Sequence, residues 1–298
     1  MHTPSDRPPL WLMVHSKGSS QLQTHTSTEA FLSEQAGYFS VPGAHLYTVL
    51  HQVTDPVARV LLVGPFASER HLSYNPWVRW ARYLAARRIE VLRYDYRGVG
   101  ESTGVFEEMS FEHWSEDIKL LAGWMAGRSP RVPFILHGLE VGAILAGRTF
   151  DEGSGDALLL WSPPANANQA LGSTLRQWAA GGRQLYESSE NRRSASGYIR
   201  ELQEGAFVQV QGYLWSGRLW RDSFHFNMPT TLNEENKVSS DSKRPVKIVK
   251  LGKDASPLVK PFRGYLEVMD FSGLYSRNFE WIASVLSSPI RKFNEQND

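Results

Sequence analysis

The chain has 298 residues, with 32 Lys and Arg against 31 Asp and Glu, 41% hydrophobic residues, 24 Gly, 16 Pro and no Cys. This balance excludes disorder, collagen and low-complexity sequence, and a net charge of +1 gives no electrostatic case for nucleic acid or an anionic membrane. Without cysteine there are no disulfides, thiolate metal sites or Cys nucleophile, and no apolar run reaches the ~20 residues of a membrane span.

Residues 1–35 are polar and Ser/Thr-rich, as in a poorly ordered arm. The Pro-broken start and the short apolar run 10–14 do not compose a secretory leader, so the chain reads as cytoplasmic. Two β-rich runs, 38–41 and 46–53, flank Pro42-Gly43 and predict a hairpin. The apolar run 60–63 predicts a strand covered on both faces. Asn75 as cap and Pro76 at the first position predict a helix over 76–87, with Trp77, Trp80, Ala81 and Leu84 on one face. A strand over 89–94 and a Gly-rich turn follow. Next come a helix over 111–126 capped by Ser110, a strand over 132–136, a helix over 141–148 and a strand over 157–161. Strands alternating with helices at this spacing imply crossover connections and a mostly parallel sheet flanked by helices, an α/β fold.

The alternation breaks at 165–242, a polar, partly helical stretch with aromatic patches at Tyr213, Trp215, Trp220 and Phe224. It resumes with strands over 246–251 and 265–269 and a helix over 276–286. The core is therefore assigned to 36–164 and 243–298. Residues 165–242 form a cap inserted between the sixth and seventh strands, over the sheet's edge, with 233–242 as a linker.

The segment most informative about chemistry is Gly138-Leu139-Glu140-Val141-Gly142, between an apolar strand and a small-residue helix. This is the strand–G-x-S-x-G–helix pattern of a nucleophile elbow with Glu140 in place of Ser. Tyr94 to Gly104 matches a D-x-R-G-x-G-x-S turn, and Gly64 to Arg70 follows the third strand. On these three motifs the chain resembles the α/β-hydrolase superfamily over about residues 38–290, and the stretch from Pro65 through Gly205 to Tyr213 is similar to its serine aminopeptidase-like and exosortase-associated bacterial members. The resemblance implies the α/β-hydrolase fold and an oxyanion hole at the Phe66 and Val141 amides, with Arg70 nearby.

The triad that the resemblance implies is altered at each position. Glu140 replaces the nucleophile. Aligned on Pro257-Leu258-Val259, the acid position falls on Ser256, and Asp254 serves only if the loop shifts. The last His is His225, ahead of the last two strands, so the late base is missing. An alcohol far above neutral pKa needs that base.

Two readings of Glu140 stay open. As a carboxylate nucleophile it would draw on His71, expected on the loop after the third strand, and on Asp254. As a structural group it would fold back onto the Val141 and Phe66 amides, which favour anions at a helix N-terminus, with Arg70 as its partner. The first makes the chain a hydrolase of ester, thioester or peptide-like substrates. The second makes it a pseudo-hydrolase holding a small acyl- or peptide-like ligand, or a protein partner.

The remaining polar residues receive local roles. Asp95, Arg97 and Ser102 stabilise their turn. Asp117 pairs with a loop amide or faces solvent, His137 caps strand hydrogen bonds, and Arg192 and Arg193 are solvated. No His–carboxylate spacing suits a metal and no G-x-G-x-x-G supports a dinucleotide, so neither metal nor cofactor is expected.

Overall fold

The computed structural model describes residues 33–65, 67–180, 193–232, 244–251 and 271–287; in the first helix it leaves the side chains of 67–69 and 71–72 undescribed. A hairpin opens the sheet, β1 (Ser33–Val41) and β2 (Ala44–Gln52), turning at Pro42-Gly43 as expected. The last three residues of the expected arm, Ser33 to Gln35, belong to the sheet instead, since they already pair with β2. Then come β3 (Ala58–Val63), α1 (Ala67–Ala85), β4 (Ile89–Tyr94), α2 (Phe111–Gly127), β5 (Phe134–Leu139), α3 (Val141–Asp151) and β6 (Ala157–Trp161).

Beyond β6 the chain builds α4 (Ala167–Ala180), α5 (Ala195–Gln203), a hairpin of β7 (Val208–Val210) and β8 (Tyr213–Trp215), and α6 (Gly217–Asp222). It returns to the sheet with β9 (Val246–Val249), and α7 (Ser272–Leu286) closes the described part. The strand expected over 265–269 lies outside the described residues.

The seven-stranded sheet runs β1-β2-β4-β3-β5-β6-β9. The first two pairings are antiparallel, and β4-β3-β5-β6-β9 are mutually parallel. The parallel strands β3, β5 and β6 are buried at every position, as sheets with helices on both faces require. Alternation divides their side chains between two layers. Leu61, Leu136 and Leu160 pack with α2, α3 and the cap, while Leu62, Leu159 and Trp161 pack with α1 and α7. No described helix is long and apolar enough to cross a membrane.

Two expected elements are corrected. α1 begins at Ala67, so Pro76 lies inside the helix rather than at its first position. Pro76 donates no N–H to the ladder, but packing favours the longer helix. Ser73 is buried with its Oγ on the Arg70 carbonyl, and the Pro76 carbonyl accepts from Tyr275 Oη at 2.7 Å. His71 is thereby in a helix, not a loop. β5 starts at Phe134 rather than 132 and continues to Leu139, which carries the strand directly into the elbow.

Candidate active site

Four strands deliver their carboxyl ends to one edge: Gly64-Pro65 after β3, Asp95-Tyr96 after β4, Glu140 after β5 and Ser162 after β6. Ligands of open α/β sheets sit at that edge. At its centre Glu140 has φ 52° and ψ −125°, a conformation that L-residues avoid. Its N–H donates to the Trp161 carbonyl at 3.0 Å, and its carbonyl accepts from Ala143 at 2.9 Å. The flanking glycines give the turn its room. A Cβ on Gly142 would fall on the carbonyl oxygens of Val63 and Gly64, and one on Gly138 would come within 2.7 Å of the Gly142 oxygen. The elbow is thus clamped between β3 and α3, with the half-buried Glu140 side chain at its apex. Val141 begins α3 and is buried, and Glu140 forms no side-chain capping bond to that helix.

Arg70 stands on α1 and is held by Asp95: Nε and Nη2 both donate to Asp95 Oδ1, at 3.0 and 2.5 Å. The partner suggested for Arg70 by the sequence was Glu140; the ion pair formed is with Asp95. Asp95 Oδ2 also accepts from the Glu101 amide at 3.1 Å, and Ser102 Oγ donates to the Asp95 carbonyl at 2.6 Å. For Asp95 and Ser102 this closes the turn as expected, whereas the Arg97 side chain leaves the turn for Asp117 on α2. Tyr96 Oη donates to the Gly64 carbonyl at 2.8 Å and so fixes the loop that leads to Phe66; burial raises the pKa of that phenol.

The Arg70–Asp95 pair lines an open cleft with Tyr47, Tyr74, Asn75 and Glu101. A narrow recess lined by Gly64, Pro65, Trp77, Tyr94 and Tyr96 continues from it. Tyr213 of the cap hairpin packs on Phe106 at 4.9 Å and lies within electrostatic reach of the pair; burial raises its pKa and the Arg70 charge opposes that rise.

Asp117 corrects the sequence reading. It is buried on α2 and receives Arg97 Nε and Nη2, at 3.1 and 2.6 Å, instead of meeting a loop amide or solvent. Burial raises the pKa of its carboxyl and the Arg97 guanidinium opposes that. The signal was present: Asp117 falls in the 114/118/121 apolar stripe of its helix, where a lone carboxylate needs a buried partner. His137 is fully buried, with Nδ1–H donating to the Leu159 carbonyl at 2.9 Å, in line with the expected strand role. Arg193 is half-exposed and pairs with Glu201; Arg192 lies outside the described residues. Phe66 and Asp254, with the Ser256 alternative, also lie outside them, as does the side chain of His71. Of the candidate site residues, the described ones thus place Glu140 and Val141 at the elbow and Arg70 across the edge beside Asp95.

Residues 73–200, from α1 through the elbow to α5, match the family model of the serine aminopeptidases, S33. Among solved structures, Est1E from Butyrivibrio proteoclasticus, determined with ferulic acid bound, superposes with a TM-score of 0.56 at 15% identity over 85% of this chain and 100% of that one. A soluble variant of the monoglyceride lipase from Saccharomyces cerevisiae, in complex with a substrate analogue, gives 0.53 at 12% identity over 91% and 100%. A serine hydrolase without a lid from Xanthomonas campestris gives 0.39 at 23% identity, over 48% of this chain and 65% of that one. A search of the curated proteins finds no match.

Proposed function

We propose that this chain, a member of the α/β-hydrolase superfamily, binds a small acyl- or peptide-like ligand at the carboxyl edge of its sheet and does not perform Ser-His-Asp catalysis. The observation that carries the reading is the elbow itself, built in full with Glu140 at the apex. Glu140 stands at the start of α3, next to a helix N-terminus that favours an anion, without capping it, and the sequence has no His after His225 to serve as base. The open, aromatic-lined cleft beside Arg70 and Asp95 supplies the concave surface that a ligand needs.

A second reading makes Glu140 the reactive group of a hydrolase of ester, thioester or peptide-like substrates. It is favoured by the φ of 52°, since backbone strain at a non-glycine residue concentrates at functional sites.

One set of assays separates the two. Wild type, Glu140→Ser and Glu140→Gln are given p-nitrophenyl esters, an acyl thioester and an aminoacyl p-nitroanilide. Ferulic acid, which one structural neighbour holds, and a monoacylglycerol, the class for which another is named, are titrated calorimetrically as probes of the cleft. The binding reading expects turnover at the buffer rate for all three proteins, because restoring the Ser alone leaves base and acid unsupplied. Wild-type turnover that drops about 100-fold or more in Glu140→Gln would establish the second reading and overturn the first.

A further inference from the structure

β1 stands at one end of the sheet and pairs only with β2 among the described residues. Its register runs unbroken from Ser33 opposite Gln52 to Val41 opposite Ala44, so no bulge turns the edge away. Its nine residues include no Pro, Lys or Arg and a single charge, Glu34. Sheets ordinarily blunt an edge with short strands, lysine, proline or a bulge, and β1 has none of these.

The direction of its backbone groups follows from β2. Tyr47 accepts from the Asp95 amide and His45 from the Thr103 amide, both at 2.9 Å and both away from β1. Their register partners Tyr38 and Ser40 therefore turn N–H and C=O outward. By alternation Ala36 and Glu34 do the same, while Gly37 and Gln35 face β2.

We propose that two copies of this chain join edge to edge through β1, antiparallel about a two-fold axis at Gly37. In this register Ala36 pairs with the partner's Tyr38 and Glu34 with the partner's Ser40, each pair exchanging two hydrogen bonds. Every outward group of the four residues is then satisfied. The strand complements itself, as a two-fold interface demands. The half-exposed Tyr38 ring lies against an alanine methyl. The Glu34 side chain, whose carboxylate is held within its own chain by Arg82, arrives beside the partner's Ser40, so the one charge on the strand is already neutralised where the two copies meet. Behind the edge Phe39 packs on Trp124 of α2, and Leu120, one turn earlier on that helix, is exposed and available to extend the contact.

The absence of cysteine gives a clean test. At the axis, Gly37 and its copy form a non-hydrogen-bonded pair with Cα atoms about 4.5 Å apart, within disulfide reach. Copies of Gln35 would be about 14 Å apart and cannot bridge. The full-length protein should sediment as a dimer at micromolar concentration. Gly37→Cys should give a covalent dimer under mild oxidation, with Gln35→Cys giving less than a tenth of that yield. Ala36→Pro removes an outward N–H while sparing the β2 ladder, and should weaken dimerisation at least tenfold with circular dichroism and thermal midpoint unchanged. If Ala36→Pro fails to fold, the two cysteine variants decide alone. A monomer at tens of micromolar, equal cross-linking of both cysteine variants, or a folded Ala36→Pro that dimerises like wild type would overturn the proposal.

Discussion

His137 stands three residues before the elbow apex, inside the α1–α7 layer, where its ring meets Trp77 at 4.9 Å, Trp161 at 4.6 Å and Trp80 at 6.1 Å between centroids. Its Nδ1 is engaged with the Leu159 carbonyl, and among the described residues Nε2 has no hydrogen-bond partner. Burial pushes the imidazole down to about 3, against an ordinary 6.5. Below pH 6.5 the unfolded chain takes up a proton that the folded chain refuses. The contribution of His137 to stability is therefore complete above pH 6.5 and is lost progressively as pH falls toward about 3. The slope from this one group is about 1.4 kcal/mol per pH unit. His51, lowered to about 4 chiefly by burial, adds a smaller loss over a narrower window. Comparison with His137→Asn, which keeps a donor and does not titrate, isolates the first effect. Urea unfolding at pH 7, 6, 5 and 4 should show a shallower acid decline in the variant, and identical slopes would refute the assignment.

At the level of elements, the elbow owes its shape to packing of β3 against α3, so the two helical glycines Gly142 and Gly123 should respond oppositely to alanine. A methyl on Gly142 meets two backbone oxygens, which cannot yield as a side-chain tip would, and Gly142→Ala should cost about 3 kcal/mol. Gly123 on α2 has nothing within 4 Å of the added carbon, and Gly123→Ala should gain about 0.5–1 kcal/mol in helix propensity. Thermal midpoints moving apart in these directions are the check. The same elements show what a sequence of this kind makes legible. The elbow was legible because close approach of two backbones leaves its mark as glycine, and α2 because Ser110 caps it, accepting from the His113 amide at 3.3 Å. The first nine residues of α1 were not legible, since Asn75-Pro76 carries the local signature of a helix start and only tertiary contacts, Ser73 inward and Tyr275 onto Pro76, show that the helix was already under way.

At the scale of the whole molecule, what the sequence concealed was pairing across distance. Arg70 with Asp95 and Arg97 with Asp117 each join residues at least 20 positions apart, a relation that no local spacing encodes. The cap is another such relation. Its Leu171, Leu175, Leu202, Trp215 and Trp220 belong to the same buried cluster as Trp114, Ile118, Ile144 and Leu145 of the α2–α3 layer. Phe226 packs on Phe111, tilted by 30° with centroids 5.2 Å apart, and carries the Arg148 guanidinium at 4.6 Å. A cap with its own core would melt by itself, whereas one that shares the layer's core must melt with it. Calorimetry should therefore show one transition with a ratio of calorimetric to van't Hoff enthalpy near one. Trp220→Ala, deep in the cap, should cost about 3–5 kcal/mol and should move that single transition as a whole. A separate low-temperature transition that alone shifts in Trp220→Ala would mean that the cap folds as a unit of its own, with the contacts of Phe226 too weak to couple it to the sheet.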